Sequence, residues 1–106
     1  MSASPCMYSP SGRIDASNAA SAESDLLALI EKSGPSVILN LGGLSYMSSA
    51  GLRVMLVGAK RAKAGGGKAV IMAAQPTVSE VLRMSGFDKI IPLVDDETAA
   101  RALFGA

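Results

Sequence analysis

In the stretch GLSYMSSAGL, Gly43 to Leu52, two adjacent hydroxyls lie between one apolar run and the next. A serine can act as a nucleophile, as the cap of a helix, or as the acceptor of a phosphoryl group. The nucleophile needs a base, and a chain with no His cannot build the common triad. A Ser–Lys dyad stays open, but SSAGL lacks the G-x-S-x-G elbow. The segment AGGGKA fails as a phosphate-binding loop, because Ala62 stands at the first glycine and Ala69 follows the lysine. It also leaves a helix and enters a strand, where a phosphate-binding loop does the reverse. Of metal-ligand clusters only Asp95, Asp96 and Glu97 come close, and their placement suits the acidic start of a helix. Neither an enzyme nor a cofactor is expected.

The remaining two roles are compatible. Ser48 as N-cap would accept from an amide two or three residues on, contributing about 1 kcal/mol. The first amides of a helix have no intrahelical partner and sit at the positive end of its dipole. A phosphate on Ser49 would find donors there, and it would bring a charge of about −1.5 to −2. Folding would tolerate that group, whereas a partner built to meet neutral hydroxyls would be repelled.

Positioning Ser49 requires an apolar frame. From Gly12 the pattern becomes orderly, with Asp15 or Ser17 as N-cap of a helix carrying Ala19, Ala22, Leu26, Leu29 and Ile30, stopped by Gly34 and Pro35. SVILNL (Ser36–Leu41) and KAVIMAA (Lys68–Ala74) read as buried strands. The helix opening at Ser48 or Ser49 is predicted to bury Leu52, Met55, Leu56 and Ala59 and to end at AGGG. Pro76 starts another helix, Gly86 with Phe87 suggests a Schellman ending, and KIIPLV reads as an edge strand. A last short helix ends near Phe104. The alternation predicts a single α/β domain, a four- to five-stranded, mostly parallel sheet packed against about four helices. Residues 12–106 would form that domain, and residues 1–11 an irregular segment or short edge strand.

At 106 residues the chain holds one real core, and its 49% apolar content argues for a compact globule. No apolar run approaches the ~20 residues that cross a bilayer. The opening MSASPCMYSP lacks a secretory layout, and the lone Cys6 forms no internal disulfide, so a cytoplasmic location is expected. Net charge +1 and four scattered aromatics give no nucleic-acid platform. Between Glu31 and Glu80 there is no acid, while Arg53, Lys60, Arg61, Lys63 and Lys68 fall in that gap. Arg53 and Lys60, seven apart on one helix face, suit either a partner's charged rim or a solvated face.

GRIDASNA, the passage from Val37 to Leu56, and LRMSGFDKIIPL together resemble the STAS domain of anti-sigma factor antagonists, over Gly12 to about Phe104. The resemblance implies a module that binds an anti-sigma factor, usually a serine kinase with a GHKL-type ATP fold, and so frees a sigma factor. In the family the kinase phosphorylates a serine in a D-S-[SA]-G-L-type motif, and a phosphatase restores the complex. Carried over by position, the acceptor is Ser49, followed by Ala50, Gly51 and Leu52. Asp15 falls where the family often has an acid near the kinase contact. The partner-binding set is therefore Asp15, Ser48, Ser49, Gly51, Leu52 and Arg53.

Two departures stand out. Ser48 occupies the usual place of an aspartate and becomes a second candidate acceptor. The hairpin that generally precedes GRID is replaced by eleven proline-bearing residues, whose exposed sheet edge could recruit a second copy. The missing aspartate keeps open an unphosphorylated STAS subunit of a lipid- or anion-transport complex. A third reading is a nucleotide-binding or hydrolytic enzyme built on Asp15, Ser49 and Lys68.

Overall fold

The computed structural model describes residues 5–104. In chain order its strands are β1 (Cys6–Tyr8), β2 (Gly12–Ile14), β3 (Val37–Asn40), β4 (Leu44–Met47), β5 (Ala69–Met72) and β6 (Leu93–Val94). Its helices are α1 (Ala19–Ser33), α2 (Ser49–Ala64), α3 (Pro76–Met84) and α4 (Glu97–Ala102). The aliphatic runs pair in the order β1-β3-β5-β6, every pair parallel, while β2 and β4 form a separate parallel pair.

Residues of β3 and β5 alternate between two apolar layers, as the period of two demands of a sheet covered on both faces. Val37, Leu39, Ala69 and Ile71 face the larger core, which also takes Leu26 and Ile30 of α1, Val54 and Met55 of α2 and Val78 and Leu82 of α3. Ile38, Val70 and Met72 face a smaller core closed by Ala100 of α4. Each fully buried Leu, Ile or Met side chain contributes about 1.5–3 kcal/mol.

The buried stripe of α2 runs through Gly51, Val54, Met55, Gly58 and Ala62; of the expected Leu52, Met55, Leu56 and Ala59 only Met55 lies on it. Those leucines and Ala59 are half-buried and pack at its margin. The stripe turns because its small residues admit α1. A Cβ on Gly58 would lie 2.4 Å from Leu26 Cδ2, so the glycine is what lets the leucine in.

β4 has no counterpart in the sequence expectation. It is only four residues long, two of them exposed, and its partner β2 lies some thirty residues upstream. KIIPLV yields just the two-residue β6, because Ile90 and Ile91 close the 3-10 turn Phe87–Lys89 by bonding back to Phe87. β6 does sit at the edge, as its proline suggested. Gly86, left-handed at φ 80°, ends α3, with its amide donating to Arg83. Asp96 caps α4 through the amide of Ala99, and Glu97 pairs with Arg101, which accounts for the acidic triplet. No described helix is long and apolar enough to cross a membrane.

In parallel α/β sheets, helices that follow strands begin at the carboxyl edge, where ligands gather. α2 begins there, directly after β4.

Candidate functional site

Two short loops meet at the start of α2. The first leaves β2 after buried Ile14. Asp15 holds it, its carboxylate accepting from the amide of Ser17 at 2.9 Å and from the Ser17 hydroxyl. The Asp15 carbonyl accepts from the amides of Asn18 and Ala19. The N-cap of α1 is thus Asn18, neither Asp15 nor Ser17, and its side chain does not cap. That side chain faces backwards, accepting from the Asp15 amide and donating to the Arg13 carbonyl.

The second loop is stitched to the first by the Ser48 amide, which donates to the Ile14 carbonyl at 3.0 Å. Ser48 stays extended, and its hydroxyl accepts from the Ala50 amide at 3.2 Å, capping α2 as expected. Ser49 is the first helical residue and is exposed, and among the described residues its hydroxyl makes no hydrogen bond. The division of labour is physical: the half-buried serine caps, and its exposed neighbour is left accessible.

The remaining carried-over positions separate into surface and support. Arg53, one turn above Ser49, is exposed, and Asp15 is half-buried. Gly51 is buried, and a Cβ there would lie 2.6 Å from Met47 Cγ and 3.2 Å from the Ile14 carbonyl oxygen. Its contribution is therefore to let the helix start settle onto both loops. Leu52 is partly buried and packs against the larger core.

Ser49, Ala50 and Arg53 share a shallow depression of about 460 Å³ with Ala19 and Glu23 of α1. The surface around Ser49 is thus not acid-free, as the local sequence had suggested. Glu23 comes from an earlier segment, and no spacing in the sequence signals it. On β4, which leads into α2, Tyr46 is 51% exposed. Lys68, by contrast, precedes β5 at the amino edge of the sheet. The 16-residue α2 separates it from Ser49 by about 24 Å, so the Asp15–Ser49–Lys68 catalytic arrangement is not assembled.

The Asp15 carboxyl is held below its ordinary value, first by the Ser17 hydroxyl, then by the Ser17 amide and the Arg13 guanidinium at 3.0 Å. A depressed folded pKa adds stability above the unfolded value and loses it as pH falls through the folded one. Asp15→Asn is therefore expected to melt slightly below wild type near neutrality, with the gap closing below about pH 4. Thermal melts at a series of acidic pH values check this, and a gap that widens in acid contradicts it. Among the described residues no group of three or more acidic or thiol side chains could hold a metal ion.

The STAS domain family model matches residues 2–100. A Bordetella bronchiseptica protein provisionally named anti-sigma factor antagonist BtrV is 41% identical over 93 residues, covering 88% of this chain and 80% of that protein. The structure of the anti-sigma factor antagonist SpoIIAA in its unphosphorylated form superposes with a TM-score of 0.79 at 21% identity, covering 100% of this chain and 94% of that one. A sulfate transporter family protein from Wolinella succinogenes gives the same TM-score at 15% identity, covering 96% of this chain and 85% of that one.

Proposed function

Since the chain belongs to the STAS domain family, we propose that it is an anti-sigma factor antagonist, switched off by phosphorylation of Ser49. It binds an anti-sigma factor of the serine-kinase type in the cytoplasm and thereby frees a sigma factor. A phosphatase removes the phosphate and restores binding. The name of the Bordetella relative supports the binding role at 41% identity. The observation that carries the switch is the exposed Ser49 hydroxyl, free of the capping that occupies Ser48.

The docking face comprises the mouth of α2 and the Asp15 loop, joined by the Ser48–Ile14 hydrogen bond. Ser49, Arg53, Asp15 and Tyr46 meet the partner, while Ser48, Gly51 and Leu52 hold their backbone. Homodimerisation is a separate part of this reading. Among the described residues the outer edge of β1 is unpaired, and Pro5 and Pro10 flank it closely, so any pairing there would be short.

Incubation with the cognate anti-sigma kinase and ATP is expected to add the mass of one phosphate, lost in Ser49→Ala and retained in Ser48→Ala. A phosphate that persists in Ser49→Ala overturns the assignment. The transporter-family structure shares the fold, so affinity capture of a permease or transporter ATPase, with no anti-sigma kinase, would instead favour a constitutive transport subunit.

A further inference from the structure

A second hollow, of different character, opens beside the last turns of α2. Leu56 and Ala59 form one wall, and the Ile91–Pro92 bend before β6 forms the other. Its volume is about 520 Å³, within the range of small-ligand sites. Ile90 stands at its rim 62% exposed and extends the apolar lining outward.

Three lysines ring this apolar hollow: Lys60, Lys63 and Lys68. Lys63 lies in the last turn of α2, where a cation is expected from the helix dipole. That account does not extend to Lys60, which stands earlier, nor to Lys68, which follows the helix. Among the described residues none of these three lysines is ion-paired, as is also true of Lys32, Arg53, Arg83 and Lys89. Lys68 is held toward one side by the Phe104 ring, 5.5 Å from its ammonium.

What the lining lacks narrows the ligand. It contains no acid, hydroxyl or carboxamide side chain and no aromatic ring. A nucleotide would find no partner for its sugar hydroxyls and no ring on which to stack its base. A sugar or a peptide backbone would leave polar groups unsatisfied against aliphatic walls, at a cost of about 1–3 kcal/mol each. An unbranched hydrocarbon carries no such penalty, and a terminal carboxylate would complement the three ammonium groups.

We propose that this hollow binds a single-chain fatty acid, its alkyl chain along Leu56, Ala59 and Pro92 and its carboxylate among Lys60, Lys63 and Lys68. The site is remote from Ser49 by most of the length of α2. It therefore stands or falls independently of the phosphorylation switch.

The test is an NMR titration of the full chain, ¹⁵N-labelled, with laurate below its micellar concentration. Saturable shifts are expected at the amides of Ala59, Lys63, Ile90 and Ile91, with Ser49 unmoved. Dodecanol, the neutral chain of equal length, is expected to bind about tenfold more weakly, as is laurate to the Lys60→Gln/Lys63→Gln/Lys68→Gln variant. The lysines are exposed, so a spectrum of the unliganded variant that changes only beside the three substitutions confirms that its fold is intact. No saturable shift, equal binding of dodecanol, or the same shifts from inorganic phosphate alone would overturn the proposal. So would an acidic amphipathic peptide that occupies the hollow and excludes laurate.

Discussion

Ser49→Asp is expected to weaken binding to the anti-sigma partner by about a hundredfold, with the midpoint of thermal unfolding within about 3 °C of wild type. The two halves of this expectation have different causes. Within the free domain the new carboxylate lies at the first position of α2, where unpartnered amides and the dipole favour a negative charge by about 0.3–1 kcal/mol. Glu23, across the same depression, opposes part of that gain. The side chain points to solvent, so no desolvation is required and the fold is nearly indifferent.

Binding removes that indifference. A partner closing over Ser49 strips water from the charge, and among the described residues Arg53 is the one cation lining the depression. Burying an unmatched charge at an interface costs several kcal/mol, which converts to a hundredfold or more in affinity. Calorimetric titration gives the affinity and a thermal melt gives the stability. A mimic that binds as tightly as wild type removes the switch. One that melts more than about 10 °C lower shows that the loss of binding is merely loss of fold.

Much of this site was legible because it depends on local chemistry. Ser48 capping α2, Pro76 opening α3, Gly34 closing α1 and the acidic start of α4 are each written in a few adjacent residues. The aliphatic runs of β3 and β5 announced the sheet for the same reason. Where distant segments decide, the sequence was silent or misleading. β4 exists because Gly12–Ile14 pairs with it, and nothing in Leu44–Met47 alternates strongly enough to reveal that. The stripe of α2 was displaced because Gly51 and Gly58 count as neither apolar nor polar in a periodicity argument, although they are where α1 and the β2 loop come closest. Glu23 reaches Ser49 only through the α1–α2 contact, so the acid-free stretch in the sequence does not become an acid-free surface.

The triple glycine that mimicked a phosphate-binding loop has a structural purpose, and Gly67→Ala is expected to cost about 3 kcal/mol, the largest stability loss of any glycine in that loop. β3 and β5 must begin side by side, Val37 opposite Ala69, with the Val37 amide donating to the Lys68 carbonyl at 3.0 Å. The chain leaving α2 therefore passes directly against the chain entering β3. A Cβ on Gly67 would lie 2.5 Å from the Pro35 carbonyl carbon, 2.6 Å from its oxygen and 2.7 Å from the Ser36 nitrogen. These are backbone atoms, and they are tied on both sides. The Ser36 carbonyl accepts from the Cys6 amide at 2.9 Å, and the Gly67 amide donates to Ala62 at 2.9 Å. Retreat from the added methyl would loosen the β1–β3 pairing or the last turn of α2. Gly66 is the contrast: its φ of 88° disfavours a side chain, but nothing lies within 4 Å of its Cβ position. Gly66→Ala should cost only about 1 kcal/mol, from the left-handed conformation alone. Urea unfolding of the two variants beside wild type distinguishes them, and equal losses would mean that the α2–β5 turn yields more easily than its hydrogen bonds imply. Because Ser49 lies at the far end of α2, the folded fraction of Gly67→Ala should still bind its partner with wild-type affinity.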